Sequence, residues 1–279
     1  MVMKRHKRIA ASATTYILLI IAFVWTIFPV YWMIKSSITV NSEMYVARPS
    51  LIAKHYTFEN YVDLFTKTEF PRALLNSLMI AFLTTVCCLL ISILGSYAMT
   101  RLKYPGRRFF KTSIIFSYLI PTAVLFVPMY VFVSKLGFYD NKWALLIIYP
   151  TTVVPYCCYM LMSYFKAIPY ALEEAALIDG CTRMKSLRYI ITPIALPGIA
   201  VVATFAFTMS WNEYLYAMIM TTSPAQQTAV VAISSFKYAD SAIWGRIMAA
   251  SVLTSLPVTI IYIVAQAQLI SGKSDGSVK

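Results

Sequence analysis

The chain has 279 residues, of which 59% are hydrophobic and 13% charged, and its mean hydropathy is +0.69. Water-soluble chains carry roughly 45–50% apolar and about 25% charged residues, so a single soluble domain is excluded and a surface that meets hydrocarbon is implied. The net charge of +13 raises nucleic acid or an anionic membrane surface as partners, and the placement of the basic residues decides between them.

In chain order, a basic run, Lys4-Arg5-His6-Lys7-Arg8, precedes a first apolar segment at 13–34. That segment is too long for a signal-peptide core, and Phe28-Pro29-Val30-Tyr31-Trp32 is no small-residue cleavage site, so an uncleaved first helix is expected. Residues 35–72 mix Glu43, Glu59, Asp63 and Glu69 with basic residues and are long enough for a small ordered segment on the membrane. Pro71 suits the first position of the next helix, where its missing N–H costs nothing.

Five more apolar segments follow, at 73–100, 109–133, 143–165, 194–220 and 244–270. Each reaches the roughly 20 apolar residues that a spanning helix needs. The expected fold class is all-α, a polytopic membrane protein with six transmembrane helices. Pro121, Pro128, Pro150, Pro155, Pro197 and Pro257 fall inside these predicted spans. Each removes a backbone donor, and the freed carbonyls need neighbouring helices, hydroxyls or cavity water. That implies a tightly packed bundle or one that lines a path.

With the N-terminus inside, fifteen of the 24 Lys and Arg residues fall in inner segments, including Arg101, Lys103, Arg107, Arg108 and Lys111. This asymmetry predicts cytoplasmic termini and cytoplasmic loops at 101–111 and 166–192. It accounts for the basic balance without nucleic acid. The five cysteines (Cys87, Cys88, Cys157, Cys158, Cys181) contain no C-x-x-C spacing, and His6 and His55 do not cluster with carboxylates. No disulfide, metal site, cofactor or catalytic group is expected.

The stretch from Ala167 to Gly180 reads as a short helix. Pro169 suits its start, Glu173 and Glu174 lie early where the helix dipole favours acids, and Gly180 suits a left-handed terminator. Thr182 is placed to cap a second helix, Arg183 to Ile191, ending at Thr192-Pro193. Leu172, Ala175, Ala176 and Asp179 share one face by spacing. The two alanines make that face shallow enough for a partner to approach, with Glu174 or Asp179 left to meet a basic group; an ordinary solvated loop helix is the other reading.

Glu174-Ala175-Ala176, three residues, Gly180, nine residues, Ile190, one residue and Thr192-Pro193 resembles the signature loop of ABC-importer permeases, with Thr192 where that family usually has leucine. Leu75-Asn76-Ser77-Leu78, Pro128-Met129-Tyr130, Leu136-Gly137, Ile168-Pro169, Trp211-Asn212-Glu213-Tyr214 and Met248-Ala249-Ala250-Ser251 extend the resemblance to the maltose-type carbohydrate permeases over nearly the whole chain. The resemblance implies a type I ABC importer permease fold and a bacterial plasma-membrane location. It implies partnership with a second permease subunit, two ATP-binding subunits and an external solute-binding protein that delivers a sugar. Glu173, Glu174, Ala175, Ala176, Asp179 and Gly180 would then form the ATPase-coupling element. It also implies a cytoplasmic tail, first helix and outer segment at 1–71, a permease domain at 72–268 containing a coupling loop at 166–193, and a C-terminal cytoplasmic tail at 269–279.

The chain lacks a G-x-x-x-x-G-K-[ST] phosphate loop, so uphill transport would draw on a separate ATPase, and the chain itself is expected not to be an enzyme. For the transport path, Glu213 is the one acid inside a predicted span. With Trp211, Asn212 and Tyr214 it reads either as a gate or sugar-path residue or as part of an interfacial anchor, and Asn76 is open in the same way. A gradient-driven transporter would call for charges at mid-membrane depth and an inverted repeat, and neither is found. Solutes such as glycerol phosphate or a polyamine, and a non-transporting scaffold, remain alternatives.

Overall fold

The computed structural model describes residues 2–46, 48–236 and 244–274, with side chains for 14–46, 48–236 and 244–266. The side chains of the basic run 4–8 and of Lys273, together with Lys237 and Lys279, lie outside the described set. The helices are α1 (Val2–Ser37), α2 (Asn41–Met44), α3 (Glu59–Thr66), α4 (Phe70–Arg101), α5 (Arg107–Leu119), α6 (Thr122–Lys135), α7 (Ala144–Ala167) and α8 (Tyr170–Ile178). After them come α9 (Arg183–Ser186), a π-helical turn (Leu187–Ile191), α10 (Thr192–Ile194), α11 (Leu196–Trp211), α12 (Leu215–Met220), α13 (Ala229–Ser235) and α14 (Trp244–Ser274). Among the described residues the only extended pairing is a single bridge between Thr39 and Tyr56.

Four of these helices are long and apolar enough to cross a membrane, and the count reaches six if each of two bent pairs is one span. The expected third span, 109–133, is not one rod: α5 and α6 meet at 99°. The cause is local. Pro121 has no N–H and disfavours helical backbone in the residue before it, and Ile120 is extended at φ −73°, ψ 122°.

The expected fifth span, 194–220, is also interrupted. Its first helix, α11, stops at Trp211, and a short break precedes α12. Upstream, helical backbone does not end at Thr192-Pro193. It continues to Ile194 and bends by 82° before α11, just ahead of Pro197, which occupies the first turn of α11. Pro128, Pro150, Pro155 and Pro257 stay inside their helices.

The chain divides into two compact units, Met1–Thr68 with Ser235–Leu253, and Glu69–Ser234 with Thr254–Lys279. In the larger unit, Cys88 and Tyr97 of α4, Val153, Cys157, Leu161 and Phe165 of α7, and Val202 and Ala206 of α11 form a continuous core. In hydrocarbon, helices gain little from hiding apolar surface, because lipid tails are equally apolar; close packing and polar links hold them instead. Gly198 shows this: a Cβ there would collide with the ring of Tyr164, so α11 approaches α7 as only glycine permits.

Several hydroxyls within the apolar helices bond back one turn, as Thr85 does to Ala81 O, Thr100 to Ser96 O and Thr208 to Thr204 O. This removes the penalty of carrying them into hydrocarbon. Ser96 Oγ instead donates across to Cys158 O at 3.0 Å, linking α4 to α7.

In the smaller unit, the expected ordered segment contains α2 and α3. Asn60 of α3 donates to Ser37 O (3.0 Å) and Thr39 O (3.1 Å), closing the end of α1. Asp63 pairs with Lys67 at 2.7 Å and with Arg246 at 3.0 Å.

Candidate functional site

The loop helix α8 starts after Pro169 and carries Glu173 in its first turn. Its end is a full terminating motif. Cys181 N–H donates to Ala176 O (2.9 Å) and Gly180 N–H to Leu177 O (3.2 Å), while Gly180 sits at φ +84°. These bonds satisfy carbonyls that the helix end would leave open, and the left-handed residue that makes them possible is glycine. Thr182 then caps α9, accepting from Lys185 N.

The face proposed from spacing is split. Ala176 turns inward and is buried, whereas Leu172, Glu174, Ala175, Asp179 and Gly180 are exposed. The most exposed large hydrophobic side chain of α8 is one that spacing passed over, Ile178, at 86% exposure.

Glu173 is not on the outer surface. It is buried among groups from α4 and α9. Tyr97 OH donates to its Oε1 at 2.5 Å, Arg101 Nε lies 3.7 Å from its Oε2, and Arg183 Nη1 lies 4.0 Å from Oε1. The Arg101 side chain is 1% exposed. Its Nη2 donates to Phe165 O (2.5 Å) and Ile168 O (2.6 Å), capping the end of α7, and its guanidinium covers the Tyr170 ring at 4.1 Å. Tyr170 OH donates to Thr100 O at 2.7 Å. Removing one member of a buried ion pair typically costs roughly 3–5 kcal/mol, because the other charge is left uncompensated. A cavity of about 890 Å³ opens beside these groups, also lined by Lys103 and Arg107.

The candidate path residues fall into two sets. Trp211 is buried, stacks on Phe207 at 5.5 Å and donates Nε1–H to Thr254 O at 3.1 Å. Asn76 is buried too. It donates to Ala225 O and Gln227 O and accepts from Lys142 Nζ at 2.7 Å, which ties α4 to the 221–228 loop.

Glu213 lies in the break between α11 and α12, not inside a helix. Its carboxylate accepts from Tyr216 N (3.0 Å) and Ala217 N (3.1 Å), which caps α12. Asn212 and Tyr214, on either side of it, are exposed. In the turn between α6 and α7, Asp140 accepts from Ser223 N at 2.8 Å and from the Ser223 hydroxyl. Burial works against the Asp140 charge, but the Ser223 and Thr222 donors outweigh it and hold its carboxyl below the usual range. Among the described residues no group of three His, Cys, Asp or Glu is placed to hold a metal ion.

The fold and this loop define a multi-pass, all-helical membrane protein with a short two-helix excursion between spans. Residues 89–273 match the family described as the binding-protein-dependent transport system inner membrane component. An inner membrane ABC transporter permease protein, YcjP, of Escherichia coli (strain K12) is 34% identical over 99% of this chain and 100% of its own length. The trehalose/maltose transport system permease protein MalG of Thermococcus litoralis is 33% identical over 91% of each. Among solved structures, a chain of a bacterial ABC transporter involved in the import of the acidic polysaccharide alginate superimposes with a TM-score of 0.80 at 21% identity, covering 92% of this chain and 95% of that one. The chain therefore belongs to the binding-protein-dependent transport system inner membrane component family, with the type I ABC importer permease fold.

Proposed function

We propose that the chain is one permease subunit of an ATP-driven sugar importer. It provides half of the translocation path and takes its energy from a separate ATPase docked on α8. The observation that carries this reading is the outer surface of α8. Leu172, Ala175 and Ile178 form an exposed apolar strip beside the exposed carboxylates Glu174 and Asp179. A shallow apolar strip edged by acids suits a groove with a basic rim. On this reading Glu174, Ala175, Asp179 and Gly180 shape the contact, Ala176 seats the helix and Glu173 anchors it from within.

Residues 72–268 form the permease domain, with the coupling loop at 166–193 and both termini in the cytoplasm. A second permease subunit completes the path, two ATP-binding subunits drive it and an external binding protein supplies the solute. ATP hydrolysis belongs to the ATP-binding subunits. The sugar assignment is supported by the trehalose/maltose relative. For the path, the exposed pair Asn212 and Tyr214 supplies the groups open to solute, while Asn76, Trp211 and Glu213 hold the framework around them.

The test uses the assembled complex in detergent. Ile178→Asp places a charge in the docking strip and is expected to lower co-purification of the ATP-binding subunit by about tenfold, as 1–2 kcal/mol at a contact would. Gly180→Val, strained at φ +84° although nothing lies within 4 Å of its Cβ, is expected to abolish uptake while the chain still reaches the membrane. Unchanged co-purification in Ile178→Asp would sink the docking role, and wild-type uptake in Gly180→Val would sink the coupling role of the loop.

A further inference from the structure

We propose that Glu173, Arg101 and Tyr97 are positioning residues that carry movement of α8 into the membrane-spanning helices. This rests on α8 being the ATPase contact. The exposed strip of α8 can receive a push, but a push does nothing for transport unless α8 is tied to the spans.

The buried node supplies that tie. Glu173 is the inward carboxylate of α8, and its three neighbouring polar groups come from α4 (Tyr97, Arg101) and α9 (Arg183). Arg101 in turn holds the last carbonyls of α7 through Nη2, and Tyr170 at the start of α8 holds Thr100 O of α4. One node thus joins the loop helix to the ends of two spans that pack along most of their length in the core.

Among the described residues Arg101 Nε and Nη1 and Glu173 Oε2 are buried without a protein hydrogen-bond partner, and the facing atoms are 3.7 Å apart. A closer approach of about 0.8 Å would bring Nε and Oε2 to normal hydrogen-bond distance. A charge-assisted bond that forms only after a small displacement favours the displaced arrangement, which is the differential interaction a mechanical coupling requires. Simple seating of α8 would need only the Tyr97 bond and the apolar contact of Ala176.

Hydrogen exchange on the complete transporter in lipid nanodiscs, with and without ATP and vanadate, separates the possibilities. In the wild type, nucleotide trapping is expected to change exchange both in α8 and at the ends of α4 and α7. In Glu173→Gln, which keeps an acceptor for Tyr97 but loses the charge facing Arg101, the ATP-binding subunit should remain bound. The change should persist in α8 and shrink about fivefold or more in α4 and α7. Tyr97→Phe, a one-atom deletion, should give the same pattern more weakly, and it decides the matter if Glu173→Gln does not assemble. A response in α4 and α7 that matches wild type in the assembled variants, or no response there in the wild type, overturns the proposal. Loss of the ATPase contact is read separately from Ile178→Asp: if that variant still binds the ATPase, the docking reading fails and not the node alone.

Discussion

Asp63 shows how a single side chain can fix part of the outer segment. Lys67, the residue just past the end of α3, donates to it at 2.7 Å, and Arg246 donates at 3.0 Å from α14. The Lys67 bond pulls its carboxyl below the usual value, burial opposes that, and Arg246 adds to the lowering. Glu43 is held low in the same direction by the Lys54 backbone N–H and then by the His55 side chain. A carboxylate whose folded value is depressed stabilises the fold above its ordinary value of about 3.9, and that contribution disappears as pH falls through the folded value. The protection of amides 59–66, taken relative to the intrinsic exchange rate at each pH, is therefore expected to fall as pH drops below about 4. In Asp63→Asn the acid-dependent part should be gone, with faster exchange already at neutral pH. Wild-type protection that stays flat down to the lowest pH would contradict the role assigned to this pair. At this scale the sequence supplied the types of residue, including Gly180, whose left-handed conformation follows from its place after α8. It did not reveal that Glu173 turns inward, because its partners Tyr97 and Arg101 are more than seventy positions away and neither belongs to a local motif.

At the scale of elements, apolar length found every long helix, since bilayer thickness sets a minimum run of residues that composition alone reveals. Proline effects were only half legible. Proline stays within the helix at Pro150 and Pro155, whereas at Pro121 the preceding Ile120 is extended and the helix breaks; membership of an apolar segment does not distinguish the two. The fit of α11 against α7 is decided by packing. Adding one methyl group at Gly198 would drive it into the Tyr164 ring, and overpacking of this kind costs typically 1–3 kcal/mol. Gly198→Ala is thus expected to lower the thermal midpoint of the purified protein by several degrees despite alanine's better helix propensity, whereas Gly137→Ala, at an open turn, tests backbone strain alone. An unchanged midpoint in Gly198→Ala would mean that Tyr164, itself partly exposed, swings aside at no cost.

For the whole molecule, the excess of basic residues in alternate loops gives an orientation that a labelling experiment can check. Cysteine placed at the exposed Lys185, in a Cys181→Ser background, should react with a membrane-impermeant maleimide only from the cytoplasmic side, and cysteine at Lys54 only from outside. The reverse pattern would put α8 on the wrong face for an ATPase. What the sequence determined by itself is what composition and local spacing encode: a membrane-embedded helical chain, its number of apolar segments, the sidedness expected from its charges, and the short loop helix with its glycine stop. Tertiary structure alone decided which side of that helix faces out, and that Asn76, Trp211 and Glu213 hold loops and helix ends in place. Those outcomes depend on contacts between residues far apart in the chain, and hydrogen-bond partners and collisions across such distances leave no periodic trace in the order of the amino acids.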